Sequence, residues 1–165
     1  MSLSIQLNNY SVKIDYLVNL IKEIDKDELN YVPKRDEGWT ITQHLLHVIH
    51  CELQSTLRSI LLINKQTEMI NIFDSKYFLN VIKTENIDPV ILVNALTSLK
   101  ELSYNLLTNL YTQVKENKRI ICEYNSEEIS ISLKDNIESS IEHIQFHLSL
   151  IGENLLEYKE NYSNN

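Results

Sequence analysis

The stretch Trp39-Thr-Ile-Thr-Gln-His-Leu-Leu-His-Val-Ile-His-Cys-Glu52 holds the chain's only Trp and three of its five His. Thr40 and Gln43 stand in the capping-box relation: the hydroxyl accepts from the backbone N–H three residues on, while the Gln side chain reaches back to the cap. A helix therefore starts at Thr40. Beyond it Ile41, Leu45, Val48, Ile49, Leu53, Leu57 and Ile60 recur at spacings of three and four, which carries the helix to about Asn64. His47 lies two turns in, with His44 and His50 one turn before and after it. Trp39, directly ahead of the cap, suits a hydrophobic staple; walling a site is its second reading.

Outward from this helix the same periodicity recurs. Tyr10, Ile14, Leu17, Val18 and Ile21 define a first amphipathic helix over about Ile5 to Ile24, and the charged stretch from Asp25 to Gly38, with Pro33, reads as a connecting loop. On the other side, Lys65 to Asn86 is weakly patterned and is expected to be a linker with one short helix. Asp88 followed by Pro89 is a strong helix start, because Pro at the first helical position loses no hydrogen bond. Leu residues at three and four then extend that helix to about Val114. Arg119 to Tyr124 and Ile129 to Leu133 flank a polar turn and predict a short β-hairpin, which must lean on other elements because two strands alone are marginal. Ser132 with Asp135 marks the last helix, running to about Tyr158 through Ile137, Ile141, Ile144, Leu148, Ile151 and Leu155. The tail Asn161 to Asn165 is polar and expected to fray.

Only two Gly and two Pro interrupt 165 residues, so tight turns are few and elements long. The fold class expected is all-α, in one domain over 1–165. A net charge of −8 and a pI near 5.1 argue against a nucleic-acid partner, which requires a basic surface. The chain has no apolar run long enough to span a bilayer and no basic-then-apolar N-terminal segment, so no membrane partner is expected and a cytoplasmic location is. Cys51 and Cys122 are too few for a disulfide framework and are expected to be thiols.

The other two His fall in Ile141-Glu-His-Ile-Gln-Phe-His-Leu148, so every imidazole lies in one of two helical segments. His143 and His147, at i and i+4, project from one side of a helix, which lets two nitrogens reach one metal ion. A His beside an apolar face is also an ordinary satisfied polar group. The apolar arc of the Thr40 helix centres opposite His47, so either that helix is apolar on two sides, as a bundle plus a dimer contact requires, or the site lies at a rim. Cys51, one turn after His47 on its side, is a fourth ligand, a reactive thiol, or a small buried hydrophobe. His44 and His50 read as flanking residues that hold neighbours in place. Glu52 points about 140° away from His47, which favours a structural hydrogen bond or salt bridge over the role of general base.

Trp39, Thr40, His47 and Glu52 at their spacing, followed by His143 and His147 near the C-terminus, resemble the DinB/YfiT-like family of metal-dependent enzymes. The resemblance implies a four-helix bundle, commonly a homodimer, with one divalent metal held by three His; by motif position these are His47, His143 and His147. Activities assigned within the family include thiol S-transfer and a thiol-dependent isomerisation; a three-His metal would activate water for hydrolysis of a small-molecule substrate, or bind a low-molecular-weight thiol for transfer. Imidazoles suit Zn, Ni, Fe, Mn or Cu. Leu150 departs from the family, where a polar residue often stands three positions after the last ligand. The alternative function is a non-catalytic homodimeric bundle that serves as a binding or stress-response module.

Overall fold

The computed structural model describes residues 3–34, 38–63, 70–71, 84, 87–110, 119–124 and 127–162. Four long helices dominate: α1 (Leu3–Lys22), α3 (Ile41–Ile63), α4 (Pro89–Leu110) and α5 (Leu133–Tyr162). A one-turn helix, α2 (Lys26–Asn30), lies between the first two. The all-α bundle expected from the periodicity is present, and the expected hairpin precedes the last helix as β2 (Arg119–Tyr124) and β3 (Glu127–Ser132). The short helix expected between Lys65 and Asn86 and the last turn to Val114 lie largely outside the described residues. The last helix is corrected at its end: it continues past Tyr158 to Tyr162, so Asn161 and Tyr162 of the tail expected to fray are helical, with Asn161 Nδ2 donating to Glu157 O at 2.8 Å.

The helix starts are the ones written in the sequence. Thr40 N–H donates to Gln43 Oε1 at 2.8 Å and Gln43 N–H to Thr40 Oγ1 at 3.2 Å, a reciprocal box that satisfies two otherwise orphaned donors. Ser132 and Asp135 do the same for α5 at 3.0 and 3.1 Å. Asp88 Oδ1 accepts from Val90 N–H at 2.9 Å, one residue past Pro89. The loop expected over Asp25 to Gly38 is corrected at its start: Asp25 caps α2 by accepting from Asp27 and Glu28 N–H at 2.9 Å, while Glu28 closes the box. Asp25-x-x-Glu28 is a capping box too short of apolar followers to be seen by periodicity. Gly38 then turns the chain with φ of 70°, a left-handed conformation that a side chain would strain, and so delivers Trp39 to α3.

Around the bundle, α1 packs on α4 and α5, and α3 packs on the same two helices, so α1 and α3 face each other across the diagonal. Two apolar layers fill the interior. The larger gathers Tyr10, Ile14, Leu17, Ile41, Leu45, Val48, Leu96, Ile144 and Ile151. The smaller gathers Leu7, Leu62, Leu107, Cys122, Leu133 and Ile137 at the hairpin end. Cys122, fully buried on β2, is how the ribbon leans on the bundle. The ribbon is also wider than a hairpin: β1 (Ile70–Asn71) pairs parallel with β2, aligning Ile70 with Cys122, so the sheet order is β1-β2-β3. Two residues in a linker carry no periodic signal, which is why this strand was not legible.

Between the apolar layers lies a polar one. Asn136 of α5 donates through Nδ2 to Ser55 O at 2.9 Å and to the Ser55 and Ser59 hydroxyls at 3.0 Å, while its Oδ1 accepts from Arg58 Nε at 2.7 Å. Ser140 donates to Ser55 Oγ at 2.8 Å, and Thr56 pairs with Ser103 of α4 at 2.6 Å. These contacts set the register of α3 against α5, with rising numbers on one meeting falling numbers on the other. The two helices are therefore antiparallel.

Candidate metal centre

The antiparallel register brings the two His segments together. His47 Nε2 lies 2.8 Å from His143 Nε2, and His147 Nε2 lies 3.1 Å from the same His143 nitrogen. Ring centroids of His47, His143 and His147 are 4.5 to 4.8 Å apart in all three pairs. The three imidazoles thus point their outer nitrogens at one another. His47, Cys51 and His143 form an overlapping group whose ligand atoms all lie within 4.8 Å of one another, with Cys51 Sγ 3.7 Å from His47 Nε2.

The cluster lies at the edge of the larger apolar layer. His147 is buried, whereas His47, His143 and Cys51 are half-buried. Of the two readings of the α3 phase, the rim is the one observed here, and Leu53 and Leu57 of α3 are exposed. Burial lowers the affinity of these rings for protons. The His147 imidazole is pushed down to about 2, first by desolvation and then by repulsion from His143, His47 and His44. Desolvation also holds His143 and His50 below the usual imidazole range. Rings kept neutral keep their lone pairs, the form in which imidazole binds metal.

His44 contributes more than its position on the flank suggested. It is buried, and its Nδ1 lies 3.0 Å from Nδ1 of His147, so one of the two rings donates and the other accepts. This contact fixes the His147 ring with Nε2 facing His143, the kind of orienting bond that metal-binding imidazoles use. Trp39 realises both of its readings. At the position before the Thr40 cap, its ring meets that of His44 four residues into the helix, centroids 5.5 Å apart, which is staple geometry. It also lies 5.3 Å from the His47 ring and stacks nearly parallel on His147 at 6.4 Å. Asn154 donates to the Trp39 carbonyl at 2.8 Å and pins this wall to α5. The Trp–His spacing was the only sequence signal for this pairing. His50 meets Gln54 at 3.1 Å, one turn along its own helix.

Glu52 turns the other way, as its helical phase required. It is 1% exposed and accepts from the Tyr10 hydroxyl at 2.7 Å across the bundle diagonal. Burial raises its carboxyl to about 7, against the lowering effect of the hydrogen bond from Tyr10. Tyr10 is likewise raised above the ordinary phenol range by burial and by Glu52. Tyr31 ties the loop before Trp39 to α5: its hydroxyl donates to Glu157 Oε1 at 2.7 Å.

The bundle has the DinB/YfiT-like four-helix fold. No protein-family model and no curated protein matches the chain. Among solved structures it is similar to YfiT from Bacillus subtilis, with a TM-score of 0.79 and 20% sequence identity over 92% of this chain and 84% of that one. That protein is described as a probable metal-dependent hydrolase with an unusual four-helix bundle topology. At this identity the likeness establishes the fold.

Proposed function

We propose that the chain is a metal-dependent enzyme in which His47, His143 and His147 hold one divalent ion, and that it hydrolyses a small-molecule substrate. The observation that carries this reading is the convergence of the three Nε2 atoms from two helices, at 2.8 and 3.1 Å from the central His143 nitrogen. Bonds of about 2.0 Å to a tetrahedral ion separate ligand nitrogens by about 3.3 Å, so modest ring rotations admit the ion. The description of YfiT as a probable metal-dependent hydrolase supports the reaction class. Held by His47, His143 and His147, a divalent ion would supply Lewis acidity and water activation, which at zinc sites brings the pKa of water to about 7. The chain's own residues orient the ligands and exclude water: His44 holds His147, while Trp39 covers His47 and His147.

Three neutral imidazoles leave the charge of the ion uncompensated, which favours an anionic partner. A low-molecular-weight thiol, bound as thiolate for transfer to an electrophile, is the second reaction this site supports. The exposed Leu53 and Leu57 support a homodimer. The absence, among the described residues, of a helix long and apolar enough to cross a membrane is compatible with action in the cytoplasm.

The test is elemental analysis of untagged protein beside His47→Ala, His143→Ala and His147→Ala. About one Zn, Ni, Fe or Mn per chain, lost in each variant while circular dichroism keeps its helical signature, is the expected result. Wild-type protein that takes up none of these after incubation overturns the reading.

A further inference from the structure

We propose that Cys51 is a fourth donor to this centre, making it a site of three imidazole nitrogens and one sulfur that the chain closes with its own thiolate. The inference rests on the three-His reading and concerns the coordination position that reading leaves open. Each of the two antiparallel helices offers one i, i+4 pair: His47 and Cys51 from α3, His143 and His147 from α5. Such pairs project side by side from one helix face, so two of them meeting edge to edge place Cys51 with His47 and His143, and His147 joins through His143 Nε2 at 3.1 Å.

The distances agree with this arrangement. Bonds of about 2.3 Å to sulfur and about 2.0 Å to nitrogen, at a tetrahedral angle, separate S from N by about 3.5 Å. Cys51 Sγ is 3.7 Å from His47 Nε2, and its distances within the group of His47, Cys51 and His143 stay under 4.8 Å. Among the described residues no Asp or Glu joins that group, so the thiol is the anion source within it. Cys51 is half-buried and lies in no disulfide. On coordination the S–H proton passes to bulk water and the sulfur lone pair takes its place on the ion.

The consequence is functional. With Sγ bound, an incoming water, thiol or substrate enters only by displacing Cys51 or by raising the coordination number. The competing account of the same contact is a plain S–H···N hydrogen bond from Cys51 to His47, which leaves the fourth position open to solvent.

Cobalt substitution separates the two. Wild-type protein loaded with Co(II) is expected to show a near-ultraviolet thiolate-to-cobalt charge-transfer band at one Co per chain. Cys51→Ser and Cys51→Ala are expected to keep visible cobalt bands and lose the charge-transfer band. Their Co affinity should fall by at least the roughly 10-fold that loss of a ligand's supporting contact produces. Azide should perturb the cobalt spectrum at lower concentration in Cys51→Ala than in wild type. Cys122→Ser, in the other apolar layer, should leave the band unchanged. Cobalt bound with visible bands but without charge transfer, or an identical band in Cys51→Ser, overturns the Cys51 assignment and leaves the three-His reading standing. Failure to bind cobalt at all removes both.

Discussion

Glu52 shows what one buried group contributes. Its carboxyl is held near 7 in the fold against an ordinary value of 4.5, so between those values the folded chain retains a proton that the unfolded chain has lost. Its contribution to stability is therefore complete below about 4.5 and is lost as pH rises through 7. At about 1.4 kcal/mol per unit this amounts to roughly 3 kcal/mol. Glu52→Gln, which keeps an acceptor for Tyr10, is expected to abolish that loss: urea unfolding at pH 5 and pH 8 should separate wild type from variant mainly at pH 8, with the variant the more stable. Equal pH dependence in both proteins would show that the carboxyl is ionised in the fold. His147 acts in the opposite sense, because a ring lowered to about 2 withdraws stability as pH falls below its ordinary value of 6.5. The direction of Glu52 was legible from its helical phase relative to His47. Its partner was not, since Tyr10 reaches it only across the bundle diagonal.

The helices are joined by polar contacts as much as by apolar ones. Asn136 is the largest of these: one carboxamide serves Ser55, Ser59 and Arg58 on α3 from inside the core. Asn136→Ala leaves several of those groups without a partner in a site shut off from water, and is expected to cost roughly 2–4 kcal/mol in urea unfolding. A cost below about 1 kcal/mol would mean that water enters and replaces the amide. Because this contact sets how α3 slides along α5, the same variant tests whether the polar layer positions the His cluster. The caps that start α3, α4 and α5 were all readable, because a cap is a local interaction between residues three apart or fewer. The strand β1 was not, because two residues make a strand only through pairing with Cys122 and Glu123 far along the chain.

For the whole molecule the open matter is association. The exposed Leu53 and Leu57 on α3 are expected to lie in a contact between two copies of the chain. Sedimentation equilibrium should give twice the 19.3 kDa chain mass for wild type. Leu53→Lys with Leu57→Lys should give a single chain mass with unchanged helicity, and a wild-type monomer would remove the homodimer. The amino-acid sequence by itself determined that long amphipathic helices form, where their caps lie, that a ribbon precedes the last helix, and that His143 and His147 share one face. Each of these depends on residues within a turn or two of one another. Only the tertiary structure decided which imidazoles meet, that His44 orients His147, that Trp39 roofs the cluster, and that the His47–Cys51 pair comes together with His143. These depend on the antiparallel register of α3 and α5, and that register is set by buried contacts such as Asn136 with Ser55, whose partners are distant in the chain and carry no periodic signature.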